Sequence, residues 1–208
     1  MNQNQNIEVI LNDIDVLYGL VHGLINESEL DLSNEYKKIN HTYFRMFCCH
    51  FESFFILIKS DHFSSAILLL RTMLELYVKS YYFEFIEKDK GSRVIDFLNG
   101  AKDFPSFFKM TQELEKCKNS QNDSFEGAFK QFTKNELASY EKFSLFSHGR
   151  GEILKAFYEY NRLSYTTEQI TDVLLTSKGL FETLSLLLFF VQNQQQKFGV
   201  LLERIKPA

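Results

Sequence analysis

The stretch SSAILLLRTMLELYVKSYYFEFIE, residues 64–87, decides the fold. Wrapped on a wheel of 100° per residue, Arg71, Glu75 and Lys79 fall at successive i,i+4 positions. Ser64 and Thr72 share their sector, as do Leu68, Tyr82 and Ile86. The rest of the circumference, with Leu70, Met73, Leu74, Tyr77 and Tyr81, is apolar. So wide an apolar arc requires more than one packing partner, which predicts a central helix over 64–87, stopped by Gly91 after Lys88 and Lys90.

Working outward, Ile7, Ile10, Leu11, Ile14, Leu17, Val21, Leu24 and Ile25 recur at spacings of three and four and predict a first helix ending near Glu27. Ser33 as N-cap opens a second, with the stripe Tyr36, Ile39, Tyr43, Phe47, His50, Phe54, Leu57, and residues 61–64 break it from the third. Downstream, Ser92 caps a short helix through Leu98 with Gly100 as its stop, and Asp103 with Pro105 opens another reaching Lys118. Residues 119–123, polar throughout, predict a flexible loop. Thr133 and Glu136 have capping-box spacing for a helix stopped at Gly149 after His148, with a turn at 149–151. Thr166 or Thr167 caps a last long helix running toward Ile205, bent near Gly179. No fixed-period repeat and no sustained strand alternation occur. The expectation is one all-α domain over 1–208, a bundle of about six to seven helices.

Composition agrees. Among 208 residues there are only two prolines, Pro105 and Pro207, and nine glycines, too few for a turn-rich β architecture. The 22 Phe and 10 Tyr supply core volume without a single Trp. A net charge of −4 provides no global field for nucleic acid, and there is no DNA-binding signature. Cys48, Cys49 and Cys117 are odd in number, and adjacent cysteines on a helix diverge, so no disulfide framework is expected. The opening residues 1–6 carry neither basic nor apolar signal character, and the longest apolar run, 184–191, is far shorter than the roughly 20 residues a bilayer needs. A cytoplasmic protein without membrane contact is the expectation. No Glu-x-x-His, no Cys-x-x-Cys and no phosphate-binding glycine loop occurs, so neither metal nor cofactor is predicted. Phe181, Phe189 and Phe190 read as core or as the seam of a homodimer.

Two polar strips remain. The first is Arg71, Glu75 and Lys79. One reading makes it a solvated face with intrahelical ion pairs; the other turns Arg71 and Glu75 inward to line a polar pocket, because a central helix has little surface to expose. The second is Tyr140, Ser144 and His148, which descend one helix face at four-residue steps with the imidazole in the last turn. There the helix C-terminus favours the protonated ring, and the side chain suits acid, base or anion-clamp duty, or simply caps carbonyls.

These strips, in AILLLRTMLE (66–75) and YEKFSLFSH (140–148), resemble a group of uncharacterised bacterial helical proteins with an Arg and a Glu four apart on one helix and a Tyr, Ser and His at four-residue steps on another. That group in turn resembles the HEPN class of helical bundles, whose active members are metal-independent ribonucleases of toxin and phage-defence systems. The resemblance implies a HEPN-like bundle acting in a bacterial defence or toxin–antitoxin setting, with RNA or a nucleotide as ligand. Arg71, Glu75 and His148 would be its catalytic candidates, supported by Tyr140 and Ser144. His148 would move the proton of the attacking 2′-hydroxyl or the leaving 5′-oxygen, Arg71 would hold the phosphate, and Glu75 would orient one of them. The alternative is a non-catalytic interaction or regulatory module. HEPN ribonucleases carry an Arg four to six residues before a His, and no Arg precedes His148 at that spacing. The literal spacing occurs at Arg45 and His50, which a regular helix sets about 140° apart, with His50 expected in the core stripe.

Overall fold

The computed structural model describes residues 3–118, 125, 127–134, 151–161 and 163–206. Helix α1 spans Gln3–Leu24, and a single 3-10 turn at Glu27–Glu29 leads to α2, Glu35–Lys59. Next come α3, Phe63–Tyr82, which runs on as a π-helical turn over Phe83–Glu87, and the short α4, Val94–Leu98. Helices α5, Phe107–Lys116, α6, Gln131–Lys134, and α7, Gly151–Tyr160, follow. The chain closes with α8, Thr167–Val191, and α9, Gln195–Ile205. The described residues are all-α, as the 3.6-residue periodicity and the scarcity of breakers require.

Helix α3 is central. It lies along α2 for most of its length and also packs on α5 and α8, while α1 and α9 pack on α8. The wide apolar arc is thereby used up: Leu70, Met73, Leu74, Tyr77 and Tyr81 are all buried. At the middle of the core, Phe181 of α8 is fully buried and stacks on Phe51 with ring centroids 4.7 Å apart and planes 12° from parallel. Tyr18 of α1 lies 5.4 Å from the same ring. A smaller cluster of Ile39, Phe83 and Val94, flanked by Phe97 and Phe104, seals the end where α3 passes into its π-helical turn.

Helix α8 is long and apolar enough by composition to cross a bilayer, a property hidden from a search for unbroken apolar runs because Lys178, Glu182 and small polar residues interrupt it. Most of its apolar side chains belong to the bundle core: Leu174, Phe181, Leu184, Leu188 and Phe189 are fully buried, while Leu175 and Phe190 are exposed.

Helix ends account for most departures from expectation. Asn34, not Ser33, caps α2, its side-chain oxygen accepting the N–H groups of Tyr36 and Lys37 at 3.0 and 3.1 Å, while the Ser33 hydroxyl donates to Asp31. The buried face of α2 is also rotated from the predicted stripe toward Phe44, Phe51, Phe55 and Ile58, because α2 meets α3 and α8 at once; Tyr36, Tyr43, His50 and Leu57 sit half-buried at its margin. Ser92 does not cap α4, which has Arg93 at its N-cap. Helix α5 takes its cap from Ser106, one residue after Pro105. Thr133 lies inside α6 and cannot open a helix there. The last helix is unbroken at Gly179 and divides instead at 192–194, where Asn193 takes a left-handed φ of 59° that asparagine tolerates better than most residues. The Thr166 capping box with Gln169 is present at 2.9 and 3.2 Å. The predicted loop at 119–123 and the predicted helix from Thr133 to Gly149, apart from Thr133 and Lys134, lie outside the described residues.

Candidate functional site

The polar strip of α3 is half-buried. The side chains of Arg71, Glu75 and Lys79 are 21, 32 and 30% exposed. Arg71 Nε stands 3.7 Å from Glu75 Oε1, and Lys79 Nζ stands 3.9 Å from Glu75 Oε2, so the three charges alternate in sign along one face. These separations exceed hydrogen-bonding distance, and intrahelical pairs of this sort are worth only about 0.2–0.5 kcal/mol each. Neighbours enclose the strip at both ends. At the N-terminal end the Ser64 hydroxyl meets the Tyr165 hydroxyl at 2.9 Å. At the other, the Lys79 ammonium lies 5.5 Å over the Phe104 ring, in cation–π range. Tyr82, in the same sector, is wholly buried, whereas Thr72 is exposed.

Neither simple picture of the strip is complete. The face is not freely solvated, because segments before α5 and before α8 close over its ends, and it is not core either. A guanidinium is a planar fork suited to oxyanions, and here it stands beside a carboxylate on the same helix face. Tyr140, Ser144 and His148 lie outside the described residues.

The second arginine–histidine pair is not assembled on α2. The helix is continuous through both residues, which keeps them about 140° apart; Arg45 is exposed and His50 half-buried. The buried histidine of α2 is His41, 5% exposed and 3.7 Å from Glu27 Oε1; burial holds its pKa below the ordinary value, against the pull of Glu27. Among the described residues no group of three or more His, Cys, Asp or Glu side chains is placed to hold a metal ion. Cys48 is buried, which pushes its thiol up to about 12, and Cys49 is exposed.

A cluster that no motif in the sequence announces surrounds Glu87. This carboxylate is 2% exposed and accepts hydrogen bonds from the Ser92 hydroxyl at 2.6 Å, from Lys90 at 3.3 Å and from Lys102. Lys102 also donates to the Ser92 hydroxyl at 2.7 Å, and the Tyr36 hydroxyl donates to the Ser92 carbonyl at 2.6 Å. Beyond Lys90, the Tyr82 hydroxyl donates to Glu113 at 2.5 Å. Burial pushes Glu87 up, but the bonds from Lys102, Ser92 and Lys90 outweigh it and leave its pKa below the ordinary value. With its oxygens so occupied, Glu87 is a tie between the π-helical turn and the segment leading to α5. Only one signal in the sequence pointed there, an acidic residue ending a long apolar helix before Lys88 and Lys90; Lys102 lies 15 residues on.

No protein-family model, curated protein or solved structure matches the chain.

Proposed function

We propose that the chain is a HEPN-like helical protein of bacterial defence or toxin–antitoxin type, located in the cytoplasm and working as a homodimer, whose α3 strip binds a phosphate of RNA or of a nucleotide. The observation that supports this reading is the half-burial of Arg71 beside Glu75 on the central helix, where a guanidinium meets an oxyanion in a less aqueous setting than open surface provides. In the cleavage reaction, Arg71 balances the charge that develops on the phosphorus oxygens, and Glu75 orients the guanidinium. His148 takes the proton of the 2′-hydroxyl as it attacks phosphorus or returns one to the departing 5′-oxygen, with Tyr140 and Ser144 supporting.

Induced expression of wild type beside Arg71→Ala and His148→Ala tests it. Growth arrest with RNA cleavage in the wild type, lost in both variants at equal protein level, is the expected result. A wild type that neither slows growth nor cleaves or binds RNA removes the reading.

The non-catalytic alternative draws on α7. Leu154 and Tyr158, one turn apart, are 67 and 90% exposed, and Tyr160 is 71% exposed. Apolar side chains so displayed on one helix suit a protein partner. Under this reading His148→Ala changes no phenotype, and Tyr158→Lys abolishes the association.

A further inference from the structure

Helices α1 and α2 both pack on α8 and leave between them a cleft of about 330 Å³. Its floor is aromatic, formed by Phe51 and Phe55, and two polar bridges cross it. At one end the Tyr18 hydroxyl donates to Glu52; at the other Lys59 Nζ pairs with Asp15 at 2.9 Å. Glu52 and Lys59 are seven residues apart on α2, which spaces the bridges by about 10 Å. Two carboxylates and one ammonium give the lining a net charge of −1.

One contact names the ligand class. The Lys59 ammonium sits 5.4 Å from the centre of the Phe55 ring while bonded to Asp15, so the protein's own side chain occupies a seat with an aromatic face on one side and a carboxylate on the other. Lys59 and Asp15 are 49 and 54% exposed, and exposed ion pairs of this kind hold weakly, so the lysine can swing into water and vacate the seat. An anionic ligand would meet two carboxylates and an ammonium that is already paired.

We infer that the α1–α2 cleft binds a small organic cation with an apolar body, an aryl- or alkylammonium, whose ammonium replaces that of Lys59 between Asp15 and Phe55 while its body lies between Tyr18 and Ile56. The inference stands apart from the α3 strip, with which it shares no residue.

Titration of the protein at pH 7 with 2-phenylethylammonium chloride, followed by the aromatic NMR signals of Phe51 and Phe55, tests it against the neutral 2-phenylethanol. Saturable shifts are expected with the ammonium and much weaker ones with the alcohol. Lys59→Met empties the seat and tightens ammonium binding about tenfold, a difference read directly from the dissociation constants. Asp15→Asn weakens it, and Ile56→Lys, on the 65% exposed wall, abolishes it by adding a second ammonium. All three changes are on exposed side chains, and unchanged far-ultraviolet circular dichroism verifies the fold. Equal affinity for the alcohol, no tightening in Lys59→Met, or no saturable shift in the wild type overturns the inference.

Discussion

The Ser92 hydroxyl donates to Glu87 Oε2 at 2.6 Å, tying the end of the π-helical turn to the chain just past Gly91. Lys102 bonds both groups, so removing it leaves a 2% exposed carboxylate with fewer donors. Lys102→Met is expected to cost about 1–3 kcal/mol in urea unfolding, less than a wholly buried pair because the lysine is 40% exposed. The double variant Glu87→Gln, Lys102→Met should recover part of that loss, since it leaves no unpaired charge.

The same cluster predicts an acid dependence. Glu87 has a folded pKa below its ordinary 4.5, so it binds protons less readily folded than unfolded. Its stabilisation is fully present above 4.5 and lost as pH falls through the folded value. The stability gap between wild type and Glu87→Gln should therefore be widest near neutrality and narrow below pH 4.5, as followed by urea melts between pH 7 and 3. A gap that widened on acidification would contradict the assignment.

Glu115 of α5 accepts the backbone N–H groups of Gly127 and Phe129 at 2.7 Å each and of Lys130 at 2.9 Å, satisfying donors ahead of α6 from a distant carboxylate. Burial pushes its pKa up, yet these three bonds leave it lowered. Glu115→Ala should cost about 1–3 kcal/mol and release those amides to hydrogen exchange ahead of the α3 amides.

Phe181 is the ring on which α1 and α2 converge, in contact range of Tyr18, Phe44, Phe47 and Phe51. Phe181→Ala should destabilise by about 3–5 kcal/mol. Thermal unfolding should then move down by roughly 10 °C. Phe181→Leu should cost much less, since most of the volume is kept.

Much of this architecture is legible in the sequence alone. Spacings of three and four assigned α1, α2, α3 and α8, and the apolar breadth of 64–87 identified the central helix, because burial on several sides requires apolar residues on several sides. Gly91 and Gly100, with φ of 66° and 70°, lie where glycine was expected to stop a helix. Cap identity was less legible: Ser33 and Asn34 are both good cap types, and only the side chain's direction chooses between them. The break at Asn193 was missed because asparagine marks a left-handed turn less plainly than glycine does.

For the candidate site, the i,i+4 register of Arg71, Glu75 and Lys79 is a property of local chain geometry, and sequence suffices for it. That these side chains end up half-buried, with Tyr165 at one end and Phe104 at the other, depends on segments far away along the chain. The same holds for Lys102 on Glu87 and for the cleft between α1 and α2. Helical periodicity and i,i+4 charge pairs are short-ranged and written in neighbouring residues, whereas burial and long-range pairs such as Lys102 with Glu87 arise only when separate segments are brought together.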